Sequence, residues 1–233
     1  MGKYYYKKNN RNKLRKYLRF ISVACIIIGA SIIAYILLPI ISWQIYFQPS
    51  ISPQNITLSI PRSDIINLTK NSLDRTDYTK AENWFPRFNP KSSEKTDAVY
   101  AISIPKINIK EAVVSTVDTN LAKHLVNYPG TGIPGKNGNA VIFGHSTLPQ
   151  LFNAKDYKTI FANVYKLTNE DNIYASINGV TYTYKIFKII VVDSSDTSAL
   201  VQDYDNSYIT LVTCTPPGTT WKRLIVKARL QKI

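Results

Sequence analysis

The sequence predicts a mostly β domain, a barrel or a sandwich, set behind one apolar helix. Three observations carry this expectation. Residues 98–233 are built of short β-branched and aromatic runs bounded by turn formers. Helical periodicity in the same stretch is weak and brief. Ahead of it, residues 20–41 form an almost wholly apolar run, FISVACIIIGASIIAYILLPII, behind a basic arm.

Within the β region, strands are expected at 99–104, 107–109, 113–115 and 139–144. A hairpin is expected where 173–177 meets 180–192 across Asn178-Gly179, a dipeptide suited to a two-residue turn with positive φ. Two further strands are expected at 208–214 and 223–230. The last alternates, with Leu224, Val226, Ala228 and Leu230 on one face and Ile225, Lys227 and Arg229 on the other. Short helices are expected at 120–126 and 156–161. This many short strands in one stretch suits a barrel or a sandwich.

The formal net charge of +14 is unevenly spread, since eight Lys and Arg and no acid lie in residues 1–19. A basic arm alone would admit a nucleic-acid ligand. Here it abuts a run with no charged residue from Phe20 to Pro61, long enough to cross the hydrocarbon core of a bilayer. Trp43, Tyr46 and Phe47 follow as interfacial aromatics. The pattern is that of an uncleaved signal anchor with its N-terminus in the cytoplasm and everything after it outside the cell. No nucleic acid is expected; the basic arm is explained by topology and by anionic lipid. Tyr6 stands where myristoylation would want Ser or Thr, so Gly2 is not read as a lipid site. The expected organisation is a cytoplasmic arm at 1–19, the span at 20–42, an extracellular linker at 43–97 and a catalytic domain at 98–233. The linker is rich in Pro, Ser, Asn and Thr, with a short helix possible at 62–73. Trp84, Phe85, Pro86 and Phe88 form an aromatic knot that a solvated tether would not need, and residues 80–90 are a candidate lid.

There are two cysteines. Cys25 lies in the expected span and reads as a small apolar residue. Cys214 cannot pair with it across the membrane, so it is either in an intermolecular bond or a free thiol with a task on the outer side. It ends a strand candidate, SYITLVTC; the turn-rich TPPGTTWK follows, then RLIVKARL. If those strands pair antiparallel across the loop, Cys214 and Arg223 stand opposite on one face, about 4.5–5.5 Å apart at Cβ. A guanidinium there favours the thiolate and can hold an oxyanion. A nucleophilic thiol also wants a base. Of the two histidines, His145 closes the apolar run NAVIFGH at a strand end, while His124 sits in a helical-looking stretch and reads as a surface or cap residue. No group of acids shows ligand spacing, so no metal and no cofactor are expected.

TLVTC with Arg223 nine positions beyond the Cys resembles the active-site signature of the sortase family. GNAVIFGHS is similar to the segment that carries the sortase histidine, and IPKINI and NYPGTGIPG resemble other sortase phrases, in order. One position departs: Asn127 stands before Tyr-Pro-Gly, where sortases often have a non-catalytic His. The resemblance implies a closed β-barrel of about eight strands with short helices. It implies cleavage of an LPxTG-like sorting signal between Thr and Gly through a thioacyl enzyme, which an amine resolves. By the same resemblance Cys214 is the nucleophile, His145 the general acid and base, and Arg223 the substrate and oxyanion ligand. Thr213 would help bind substrate, and Leu211 would pack. Implied partners are surface proteins or pilins bearing the signal, an amine such as a peptidoglycan precursor, and the membrane. Wall anchoring and pilin polymerisation both stay open: no Asp-Pro-aromatic lid motif occurs, yet the CTPPG…R spacing resembles the pilin class. Two rival readings are a tethered cysteine peptidase that releases product to water and an inactive surface-binding barrel.

Overall fold

The computed structural model describes residues 11–42, 77–85 and 98–231. The chain falls into two units, Met1–Ser42 and Trp43–Ile233. The first holds one helix, α1, Arg11–Ser42. Its stretch Arg15–Leu38 has a mean hydropathy of 2.7 and buries none of its surface in the protein, so it is a candidate membrane span by length and composition. Cys25 lies exposed on it. Trp43, Tyr46, Phe47 and the helix expected at 62–73 fall outside the described residues.

The second unit is a closed barrel of eight strands. They are β1 (Val99–Ile104), β2 (Ile109–Ser115), β3 (Leu125–Asn127), β4 (Gly138–Phe143), β5 (Asn172–Ile177), β6 (Val180–Asp193), β7 (Ser207–Thr215) and β8 (Lys222–Leu230). Around the barrel they run β1-β2-β3-β4-β7-β8-β6-β5, and β5 closes on β1. β2/β3 and β4/β7 are parallel pairs and the rest antiparallel. The β5–β6 turn is the expected one, with positive φ at both Asn178 and Gly179.

Alternation sorts the side chains into two packed layers. Ala140, Ile142, Ile209, Leu211, Leu224, Val226 and Ala228 point into the barrel and form its core with residues of β1, β2, β5 and β6. Their neighbours Val141, Phe143, Val212 and Ile225 point outward, yet they are also buried. What covers them is Ala81, Trp84 and Phe85 from the segment before the barrel, with Leu121, Ala199 and Leu200. Part of the expected tether is thus packed on the barrel. Its backbone is tied there too: the Ala81 N–H donates to Thr119 O at 2.9 Å and the Leu121 N–H to Thr79 O at 2.8 Å. Pro86 and Phe88 of the knot lie outside the described residues.

Three expectations of local structure are corrected. Residues 105–107 form a 3-10 turn, and the strand resumes only at Ile109, because Pro105 has no N–H to give and Asn108 takes the left-handed conformation, φ 58°. The helix expected at 120–126 is a turn leading into β3, and that at 156–161 is a run of turns. In both places short polar side chains close local turns on backbone N–H groups. Asp118 Oδ1 accepts from Asn120 N, Asn120 Oδ1 from Ala122 N, and Asp156 Oδ1 from Lys158 N.

Candidate active site

Register brings the expected residues together. β7 and β8 pair so that Cys214 stands directly opposite Arg223 on the outer face. β4 runs parallel to β7 with Phe143 beside Val212, and the Gly144 N–H still donates to Val212 O at 3.2 Å. His145 follows two residues past the end of β4. Thiol and guanidinium stand side by side on β7 and β8, and the imidazole comes from the loop that leaves the neighbouring strand β4. Thr213 alternates inward, and its hydroxyl donates to Gly144 O at 2.8 Å. It clips the end of β7 to the residue before His145, and it is buried there. Leu211, as expected, packs in the core.

Arg223 is 2% exposed. Its Nη1 lies 3.6 Å from Cys214 Sγ and donates to Thr220 O at 3.1 Å and Lys222 O at 3.3 Å. Its Nε has no hydrogen-bond partner. A buried cation without a carboxylate is costly, and here the face of Trp84 takes part of that load, with its ring centroid 5.0 Å from the guanidinium carbon. The same indole lies 5.9 Å from the His145 ring and packs edge-on against Phe143 at 5.5 Å. Its Nε1–H donates to Tyr78 O at 2.8 Å, which fixes the ring. Cys214 is 6% exposed, so thiol and guanidinium are both shut away from solvent.

Burial sets the protonation state. It pushes the Cys214 thiol above its ordinary range, with Arg223 pulling down by less. It pushes His145 below its ordinary range, opposed by the Asp77 carboxylate and helped by Lys158. Both shifts favour a neutral thiol beside a neutral imidazole. Asp77, at the start of the covering segment, accepts from Thr79 N at 3.0 Å, and its carboxyl is held below the ordinary range chiefly by its bonds to Thr79.

His124, the other histidine, is not on a helix. It sits in the β2–β3 connection, side chain 12% exposed, 3.0 Å from Asp118. Among the described residues no group of three or more His, Cys, Asp or Glu could hold a metal. Sequence reasoning singled out Trp84 as part of an aromatic knot and a candidate lid, but nothing in its surroundings pointed to Arg223. It did not find Leu148, which lies against Gly218 and so joins the loop after His145 to the loop after Cys214.

Comparison with known proteins accords with this geometry. A sortase domain model matches residues 102–231, over half of the chain. The chain belongs to the sortase family. Sortase D of Bacillus subtilis (strain 168) is 28% identical over 162 residues, spanning 68% of this chain and 72% of that protein. A lid mutant of sortase A from Corynebacterium diphtheriae superposes with a TM-score of 0.50 at 31% identity, over 65% of this chain and 78% of that one. Sortase C-1 from Actinomyces oris shares the fold, with a TM-score of 0.52 at 24% identity over 66% of this chain and 94% of that one.

Proposed function

We propose that this chain is a membrane-anchored sortase that cleaves an LPxTG-like sorting signal between Thr and Gly and transfers the acyl part to an amine of the cell wall or of a pilin. The observation that supports the reading is Cys214 directly opposite Arg223 on β7 and β8, with the rings of Trp84 and His145 5.9 Å apart and the Trp84 ring 5.0 Å from the guanidinium carbon. Cys214 Sγ attacks the Thr carbonyl as its proton passes to the imidazole of His145. Arg223 holds the oxyanion of the tetrahedral intermediate. His145 then hands that proton to the leaving Gly amine, the C–N bond breaks, and a thioester to Cys214 remains. An incoming amine gives a proton to His145 as it attacks the thioester, and the thiolate recovers the proton on release. The neutral starting pair suits this sequence, because the proton that leaves the thiol is the one the leaving amine needs.

In this reading the 77–85 segment is a lid. The thiol and guanidinium it covers must be uncovered before a peptide can reach them, and Trp84 is the side chain over them. The basic arm, residues 1–19, ahead of the apolar run supports an orientation with the N-terminus in the cytoplasm and the barrel outside.

The test is ligation. The full chain in detergent micelles is incubated with LPxTG-like peptides and an amine such as triglycine or a diamine, beside Cys214→Ala. Amine-dependent product that disappears in the variant is the expected result. Product formed equally without amine favours the tethered peptidase. No turnover of any peptide, even after removal of the lid, leaves the inactive barrel.

A further inference from the structure

The covering segment does not rest on the barrel strands alone. It is held by the β2–β3 connection, residues 116–124, through Ala81 N–H to Thr119 O, Leu121 N–H to Thr79 O, and a bridge pairing Lys80 with Asn120. What shapes that connection is therefore what seats Trp84 over the site. Asp118 Oδ1 does much of the shaping, accepting from Asn120 N at 2.8 Å and facing His124 Nε2 at 3.0 Å. On the far side of the ring, His124 Nδ1 lies 2.9 Å from Leu125 O, at the first residue of β3.

Both ring nitrogens thus face oxygens that can only accept. A neutral imidazole has one N–H and one lone pair. Either neutral tautomer would set that lone pair against a carbonyl or a carboxylate; only the imidazolium satisfies both contacts. We propose that His124 and Asp118 form a pH-dependent latch: the His124 imidazolium holds the β2–β3 connection in the shape that receives the 77–85 segment over Cys214, and its deprotonation loosens that segment. Histidine is the side chain whose charge ordinarily changes in the physiological range. The other charged group that acts on Asp118 is Lys123 on the same connection; the covering segment carries Asp77, Lys80 and Glu82, of which Lys80 bridges Asn120 through its backbone. Asp77 interacts electrostatically with His145, and Glu82 with Tyr128. Among the described residues Asp118 is the ion-pair partner of His124. That the latch governs access to a reacting thiol rests on the sortase reading; the latch itself does not.

The test is hydrogen exchange on the full chain in detergent micelles, from about pH 5.5 to about pH 8, with rates corrected for intrinsic pH dependence. Protection at the amides of Ala81 and Leu121 should fall about two- to fivefold on deprotonation, as befits the loss of one partly exposed ion pair. His124→Gln and Asp118→Asn should be flat, at the level wild type reaches at high pH. His145 titrates nearby, so His145→Gln is the control and should keep the wild-type fall. Flat protection in wild type overturns the latch. So does a fall that persists in His124→Gln, or one that vanishes in His145→Gln. A chain that ligates no peptide but shows this pattern loses the sortase reading and keeps the latch. A ligating enzyme with flat exchange keeps the reading and loses the latch.

Discussion

At the scale of single residues, the site is governed by what surrounds Arg223. Two carbonyls, one sulfur and an indole face hold a buried guanidinium that, among the described residues, has no carboxylate and leaves its Nε unpartnered. Nε is the donor left for a developing oxyanion. Lysine has no planar fork to reach sulfur and oxyanion together, so Arg223→Lys should lower kcat by about 10²–10³ while the barrel stays folded, read by peptide ligation and circular dichroism. The pH profile follows from the shifted pair. Turnover needs a neutral His145 and a protonated Cys214, so kcat/KM should be bell-shaped. Its acid limb should lie below the ordinary histidine range and its alkaline limb above the ordinary thiol range. Stability carries the same signs. His145 has a lowered folded pKa, so its contribution is present above the unfolded value and lost as pH falls. Cys214 has a raised folded pKa, so its contribution is present below the unfolded value and lost as pH rises. A profile with its acid limb above the histidine range would contradict this account. Of these residues, the opposition of Cys214 and Arg223 was legible from nine positions of spacing and a turn-rich loop. The indole over the guanidinium was not, because it is brought there by a segment with no strand or helix signal of its own.

At the scale of elements, the strand ends matter most. The Thr213 hydroxyl joins β7 to the backbone just before His145. Thr213→Val keeps the shape and leaves Gly144 O without that donor, which should cost about 1–2 kcal/mol in denaturant unfolding. Because the clip positions His145, ligation should fall by more than stability alone explains; unchanged ligation would show that the clip has no part in positioning. Seven of the eight strands were legible from alternation and flanking turns, with bounds off by a residue or two and β2 seen only in its second half. β3 was not. It is three residues long, too short for a period to declare itself. Single-sequence periodicity reads LAKHLV as helix because the pairing of Leu125 and Val126 with β2, and of Val126 and Asn127 with β4, is non-local and invisible to it.

At the scale of the whole molecule, the outer face of β4, β7 and β8 is the covered surface, and it carries the proposed nucleophile Cys214 opposite Arg223. Removing the cover should expose them. Trp84→Ala should raise the rate at which a thiol reagent modifies Cys214, and deletion of 80–90 should raise it further; unchanged labelling in both would end the lid reading. The apolar helix and its basic flank were legible outright, since length and charge asymmetry need no tertiary context. The most direct test of the central claim is the intact mass of the full chain mixed with an LPxTG-like peptide and no amine. The account predicts a mass increase equal to the peptide's acyl fragment, mapped to Cys214, absent in Cys214→Ala and discharged when an amine is added. Peptide cleavage with no adduct on Cys214, or an adduct that survives in Cys214→Ala, would contradict it.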